Sequence, residues 1–274
     1  MDGGFQSLDG MYSGRFGPGT TPSDGLQGVV PSTCFHLDAT DTGSYSGSGQ
    51  VWANLTAVPA DGSSKTDYDF YLGNTSSPDT DDPTFNGTPG SPSAYWSTDG
   101  GDYFTSIVRS PSPGILKNMH KTTGGTAWWI AIAYYRVGSG GTSTAIWNSG
   151  RVNSLRLSAT NSNYTFQNTY LGSATLGPPT NDTPQLLILS GKANDFTNIR
   201  RWMNTRTATE FNFGAGSGAT DTAGPAMIFR QGAGLAAISG TRCYAFVGGN
   251  AYLDNTAAGA IFDYFNTKHG RTYA

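Results

Sequence analysis

Short apolar runs separated by polar, glycine-rich turns recur along the chain from Cys34 onward, and this alternation limits what the chain can fold into. Runs of this kind, bounded by Gly, Ser, Thr, Asn and Asp, are typical of an antiparallel β-sandwich. The strongest run, TAWWIAIAYYRV at 126–137, is almost continuously apolar and predicts a central strand covered on both faces. The predicted strands are 34–38, 51–56, 68–72, 94–97, 102–108, 126–137, 144–148, 152–158, 184–191, 196–204, 225–230 and 241–248.

The acidic residues argue against long helices, because 18 of the 19 are Asp and only Glu210 is Glu. Glu is a good helix former, whereas Asp favours turns. Two short helices are predicted. The first is 110–121, and the second is 255–270, which Asn255 or Thr256 can cap and Gly270 ends. A net charge of −3 provides no basic surface for phosphates, so nucleic acid is a poor partner.

The first 32 residues are rich in Gly and Pro and carry only isolated apolar side chains. Such a segment buries too little apolar surface to offset its own ordering entropy. We therefore expect residues 1–32 to be an extended docking arm that takes its shape against another subunit or a partner protein, or folds back on its own domain. Residues 33–274 are expected to form a single domain. The candidate docking residues are Phe5, Leu8, Met11, Tyr12 and Phe16.

Other signals are weak. No run approaches the roughly 18 apolar residues of a membrane span, and the N-terminus lacks the pattern of a signal peptide. Cys34 and Cys243 have no metal or redox spacing, and two buried thiols are favoured over a disulfide. The three histidines are scattered and do not have zinc spacing.

Four stretches occur in an order that resembles a known family. They are FHLDATDTGSYSGSGQVWANL, DDPTFNGTPGSPSAYWSTDGGDYF, TAWWIAIAYY and RCYAFVGGNAYLDNTAAGAIFDYFNTKHG. Over roughly residues 33 to 270 the chain resembles the laminin G-like form of the concanavalin A-like lectin/glucanase superfamily, found in phage virion proteins and bacterial surface proteins. The resemblance implies an all-β fold, a two-sheet antiparallel jelly-roll sandwich with an extended N-terminal arm and a short C-terminal helix.

Catalysis is not expected from the residues available. Glucanases of this superfamily carry their paired carboxylates in a Glu-x-Asp-x-Glu strand, which a chain with Glu210 as its single Glu cannot form. The chain also lacks a Gly-x-Ser-x-Gly nucleophile motif with triad partners in order. The sequence therefore predicts that the protein is not an enzyme, and no catalytic residue is assigned.

The stretch STDGGDYF at 97–104 supports two interpretations. An Asp-Gly pair between two strand-like runs predicts a hairpin turn, because the turn requires positive φ. This interpretation is favoured. In the alternative, Asp99 and Asp102 present carboxylates to a sugar or a cation, and aromatic rings of this region and of two further strands stack on sugar rings. The candidate carbohydrate-binding residues are Trp96, Asp99, Asp102, Tyr103, Trp129 and Trp147.

Asp79, Asp81 and Asp82 place three carboxylates in one loop, SSPDTDDPTF. Hard cations prefer such oxygen ligands, and laminin G-like modules often carry calcium, so calcium is the one cofactor these residues suggest. The loop lacks the spacing of a helix-loop-helix calcium site. A solvated acidic loop without a metal is therefore favoured.

The resemblance predicts a non-enzymatic structural protein of a virion, a bacteriophage capsid-decorating, head-fibre or tail component with a lectin-like head. Such a protein would be a homo-oligomer, would join other virion proteins through its arm, and would assemble in the host cytoplasm. The alternative is a carbohydrate-binding receptor-recognition module or a bacterial surface adhesin that meets a host surface glycan outside the cell. Neither role involves a membrane.

Overall fold

The computed structural model describes residues 25–137, 144–150, 155–159, 163–168, 172–178, 180–213, 224–231, 235–236 and 239–273. These residues form two stacked antiparallel sheets and a C-terminal helix, which confirms the predicted all-β sandwich. The strands are Thr33–Asp38 (β1), Val51–Trp52 (β2), Phe70–Leu72 (β3), Thr84–Asn86 (β4), Tyr95–Ser97 (β5), Phe104–Ser106 (β6), Trp128–Tyr135 (β7), Thr144–Asn148 (β8), Leu155–Ala159 (β9), Tyr164–Asn168 (β10), Gly172–Gly177 (β11), Pro184–Lys192 (β12), Asp195–Met203 (β13), Thr209–Phe211 (β14), Met227–Ile228 (β15), Arg230–Gln231 (β16), Leu235–Ala236 (β17) and Arg242–Gly249 (β18).

Within the described ranges each large sheet has eight strands. The first sheet has the order β14-β13-β12-β7-β18-β5-β4, and β1 also pairs with β18. The second sheet has the order β11-β10-β9-β8-β15-β6-β3-β2, and β16 and β17 form a separate two-stranded ribbon. The helices are Gly25–Val29 (α1) and Asn255–His269 (α2), with short 3₁₀ helices at Lys65–Tyr68 and Gly114–Lys117.

Strand β7 is buried on both faces, as its continuous apolar run predicts. Side chains alternate across a strand. Trp128 and Ile130 therefore lie in the apolar layer between the two sheets, whereas Trp129 and Ala131 lie in a second apolar layer between the first sheet and α2. The first sheet is thus the middle of three layers.

Helix α2 packs its apolar side chains into this second layer. Its cap is Asp254, whose carboxylate accepts a 2.8 Å hydrogen bond from the Ala257 N–H, and not Asn255 or Thr256 as predicted. Gly270 ends the helix with φ of 57°, as predicted. Within the described ranges no helix combines the length and apolar character of a membrane span.

The packed body begins earlier than the predicted boundary at residue 33. Helix α1 lies inside the predicted arm, and Leu26 and Val30 are buried in the layer that holds α2. The candidate docking residues of the arm belong to residues 1–24, outside the described residues.

The predicted helix at 110–121 is wrong, because only Gly114–Lys117 is helical and it is a 3₁₀ turn. Gly114 has φ of +41°, which an α-helix cannot accommodate, and Pro113 precedes it. The apolar side chains that suggested the helix, Ile115 and Met119, are nevertheless buried.

Both cysteines are free and buried, as predicted. Burial raises the pKa of the Cys34 thiol to about 12 and that of Cys243 well above its usual value. A thiol with so high a pKa holds little thiolate at neutral pH, so both are chemically inert in the folded protein.

Candidate functional site

Two acidic segments that are separate in the sequence lie side by side at one edge of the sandwich. Strand β4 pairs with β5 so that Thr84 lies opposite Ser97, and the residues before β4 therefore meet the residues after β5. The Tyr103 N–H donates a 3.1 Å hydrogen bond to the carbonyl of Asp81, and the Tyr103 hydroxyl lies 3.4 Å from the Asp81 carboxylate. We call this region the acidic edge. It comprises Asp79, Asp81, Asp82, Asp99, Asp102 and Arg230.

The favoured turn at 97–104 is present, but it is not a hairpin. Strand β5 belongs to the first sheet and β6 to the second, so the turn carries the chain from one sheet to the other. Gly100 takes φ of +109°, the positive value expected of the Asp-Gly pair. The Asp99 N–H donates to the Asp102 carboxylate at 2.9 Å, and the Gly101 N–H donates to the Asp99 carboxylate at 2.9 Å. These two aspartates therefore stabilise the crossover themselves.

Asp102 and Asp99 lie in different surroundings despite their proximity. Asp102 is only 3% exposed, and burial together with the carboxylates of Asp99 and Asp81 raises its pKa to about 7. Asp99 faces solvent, and the hydrogen bond from the Gly101 N–H lowers its pKa. The acidic edge therefore presents Asp99 as an ionised acceptor next to a carboxyl group that holds a proton below about pH 7.

Arg230 covers Tyr103 at this edge. Its guanidinium stacks 4.2 Å above the Tyr103 ring centroid, and its Nη1 lies 3.6 Å from Asp81 Oδ2. The side chains of Arg230 and Asp81 are 30% and 41% exposed, so both can reach a ligand. Tyr103 itself is buried, and its ring is not an open surface for a sugar, which corrects that part of the prediction. Sequence reasoning missed Arg230, and no local motif marks it.

The three candidate tryptophans are buried and do not present a ring face to solvent. Trp96 packs among aromatic rings between the sheets, with Trp52 and Phe104 among its neighbours, and Trp147 lies in the same layer. Trp129 faces the helix layer, where its indole donates to the Ser32 hydroxyl at 3.1 Å. Their assignment to sugar binding is therefore corrected, because the helix and the second sheet cover both faces of the first sheet.

The three aspartates of the predicted metal loop mostly engage one another. Asp79 accepts from the Asp81 N–H at 2.8 Å, and Asp82 accepts from the Asp79 N–H at 3.1 Å. Burial raises the pKa of Asp82, which opposes its ionisation. Over the described ranges no three Asp, Glu, His or Cys side chains are arranged to hold a metal ion. Calcium binding stays a prediction.

A second cluster, which sequence reasoning missed, lies beneath α2. His36 Nε2 and His269 Nε2 each lie 3.4 Å from the Asp38 carboxylate, and the Tyr273 hydroxyl lies 2.9 Å from His269 Nδ1. Thr40 donates two 2.7 Å hydrogen bonds to the same aspartate. The cluster joins the first strand to the last helix, and it is fully enclosed.

Comparison with known proteins places the fold but not a family. No protein-family model matches the chain, and no curated protein matches it. Among solved structures, Trypanosoma rangeli sialidase in complex with sialic acid matches 88% of this chain at 10% identity, with a TM-score of 0.54. The binding domain of botulinum neurotoxin serotype D matches 88% at 9% identity, with a TM-score of 0.58. The chain spans 34% of the sialidase and 52% of the toxin chain.

The prediction that this protein is not an enzyme is wrong, because its reasoning fails. The prediction depended on the absence of the Glu-x-Asp-x-Glu strand of glucanases. Sialidases are enzymes, and their structures match the fold of this chain, so the missing strand does not exclude an enzyme. At such low identity the likeness shows the fold alone and assigns no catalytic residue to this chain.

Proposed function

We propose that this chain is a carbohydrate-recognition module that binds a sugar at the acidic edge. The observation that carries the proposal is the convergence of the loop at 79–82, the crossover at 98–103 and Arg230 on one partly exposed surface. Proteins with this fold include one solved with sialic acid and one described as a receptor-binding domain, and these support a recognition role.

The side chains at this edge suit the hydroxyl groups of a sugar. Ionised carboxylates accept hydrogen bonds only, whereas a guanidinium only donates them. Asp81 and Asp99 would accept from sugar hydroxyls, and the partly exposed Arg230 would donate to hydroxyl or ring oxygens. Hydrogen bonds to charged groups are the stronger class, so a few such contacts can orient a small ligand.

The charge of the edge limits the class of sugar. The acidic edge holds five carboxyl groups and one guanidinium, so its net charge is negative even with Asp102 protonated. A negative surface repels anionic ligands. The proposed ligand is therefore a neutral or amino sugar, and an anionic sugar such as sialic acid should bind poorly.

A glycan array followed by titration of the best binder tests the proposal. We expect neutral or amino sugars to bind, and Asp81→Asn and Arg230→Gln each to weaken binding about tenfold, roughly the 1.5 kcal/mol of one hydrogen bond to a charged group. Asp195→Asn, a change at the first residue of β13, serves as the matched control and should leave affinity unchanged. Repeating the titration with a chelator tests the calcium prediction. Failure to bind any glycan, or equal loss in the control, would refute the proposal.

The virion role stays a prediction of the sequence resemblance, as do the homo-oligomer and the partner proteins of the particle. The sialidase and toxin structures that match the fold are not described as virion components. The virion role can be tested directly with a chain that lacks residues 1–24 and keeps α1. Normal incorporation of that chain into particles would contradict a docking role for the arm.

A further inference from the structure

A groove lies between the two helices, on the side of the first sheet that faces away from the second sheet. Its volume is about 490 Å³. It is lined by Val29, Ala260, Asp263, Tyr264, Thr267 and Lys268. We call it the helix groove.

The charged side chains of the helix groove already have partners on the domain. Asp263 pairs with Arg206 at 2.6 Å, and Lys268 pairs with Asp41 at 2.5 Å. What remains for an occupant is apolar surface from Val29, Ala260 and the Tyr264 ring. The groove therefore suits an apolar side chain better than a polar ligand.

Exposed apolar surface is concentrated around α1. Within the described ranges, Val29 and Val58 are the two large hydrophobic residues that are exposed, at 53% and 73%. Val29 lines the helix groove, and the loop of Val58 is joined to α1 by a 2.6 Å hydrogen bond from the Gln27 side chain to the Val58 carbonyl. The exposed Val29 therefore adds to the apolar surface that an occupant of the helix groove would cover.

The sequence places a candidate occupant directly beside the groove. Twenty-four residues precede α1, and a methyl group on Gly25 would lie 3.3 Å from the Tyr264 ring, so the chain enters α1 next to a residue that lines the groove. Pro22, Ser23, Asp24 and Gly25 form a turn signal that favours a reversal of the chain.

We propose that residues 1–24 fold back and occupy the helix groove of their own chain, with Phe16 as an apolar anchor. Phe16 precedes Gly25 by nine residues, which span up to about 30 Å when extended. Helix α2 has 15 residues and is about 22 Å long, so the segment can reach any part of the groove.

Two arguments favour the chain's own segment over a second copy. A segment tethered beside its site acts at an effective concentration in the millimolar range, above any ordinary concentration of free protein. Among the residues that the structure describes, six line the groove, whereas a stable protein interface uses roughly 20 to 30 residues a side. A short segment therefore matches the groove better than a protein surface does.

Cross-linking between introduced cysteines tests the proposal on the full chain. The two native thiols are buried and inert, so Phe16→Cys combined with Ala260→Cys supplies the only reactive pair. A short bismaleimide should give a cross-linked monomer, identified by intact mass and by the joined peptides. The matched control combines Phe16→Cys with Ser77→Cys, an exposed position in the loop after β3 of the second sheet.

Each outcome decides the proposal. A cross-linked monomer in the 16/260 pair at least tenfold above the 16/77 pair supports it. A covalent dimer would place the segment on a second copy and overturn it. Equal yields in the two pairs, or no cross-link in a chain whose circular dichroism matches the parent, would show that the segment does not lie in the groove and would also overturn it.

Discussion

The face of the first sheet beneath α2 and the acidic edge each hold a buried aspartate, yet the two surroundings shift the pKa in opposite directions. Burial alone would raise the pKa of Asp38, but His269 and His36 lower it well below its usual value. Burial raises the pKa of Asp102 to about 7, and the nearby carboxylates add to the rise. The difference teaches that the partners of a buried acid decide its charge.

The largest expected effect is at the helix-covered face. Asp38→Asn replaces the carboxylate that both buried histidine rings and Thr40 contact, and hydrogen bonds to a buried charged group contribute about 1.5 to 3 kcal/mol each, so we expect a loss of about 3 to 5 kcal/mol. Asp41→Asn is the matched control, because it breaks the more exposed pair with Lys268 and should lose less than about 1 kcal/mol. Urea unfolding of both variants measures the difference. Equal losses would show that the enclosed cluster contributes nothing beyond a surface pair.

A second expected effect concerns packing. Gly249 lies where β18 meets β1 and Trp129, and an added methyl group would lie 2.1 Å from the Ser32 carbonyl oxygen. Gly249→Ala should therefore destabilise by about 1 to 3 kcal/mol, the usual effect of overpacking. Gly101→Ala at the acidic edge should change stability by less than about 0.5 kcal/mol, because the nearest atom is 3.6 Å away. The comparison uses the midpoint of thermal unfolding. A larger loss at Gly101 would reverse the proposed contrast in packing.

The smallest expected effect is a change in pH dependence. The folded pKa of Asp102, about 7, exceeds its ordinary value of 3.8, so between these values the folded state binds the proton more tightly than the unfolded state. The stabilisation is then complete below about pH 4 and is lost as pH rises through 7, with an upper limit of about 1.4 kcal/mol per pH unit. Screening by solvent beside the exposed Asp99 lowers the expected total loss to below about 1 kcal/mol.

Asp102→Asn should remove that part of the pH dependence. Relative to the parent, the variant should gain stability between pH 5 and pH 8, measured by urea unfolding at each pH. Asp195→Asn, at an aspartate whose pKa is lowered by hydrogen bonds from Thr197, should show no such gain over this range. If the parent and Asp102→Asn have parallel profiles, the acidic edge does not differ from the helix-covered face in the way described.

The sequence predicted regular elements well where the apolar pattern was long. The run at 126–137 contains β7, and the helix predicted at 255–270 differs from α2 by one residue. Strand β4 was missed because its three residues, Thr84, Phe85 and Asn86, include only one apolar side chain. Residues 51–56 form only a two-residue strand, since the Asn54 side chain takes the place of a strand partner by accepting from the His36 N–H.

The sequence predicted separate acidic segments of the candidate site, but it did not predict that they lie in contact. The carboxylates at 79–82 and at 99–102 were both identified, but their contact depends on the β4–β5 pairing, which was not predicted. Arg230 reaches them from a distant part of the chain. The tryptophans were misassigned because periodicity shows which side chains share a face of a strand, but not whether another layer covers that face.

The two buried thiols can be used to measure how often the folded protein opens, because they react with a reagent only when they become exposed. Cys34 lies on β1 and Cys243 on β18, and both side chains are buried between the two sheets, so neither sulfur can meet an aqueous reagent until the sheets separate locally or the whole body unfolds. The rate at which a thiol reagent labels the native protein should therefore follow how often the sandwich opens.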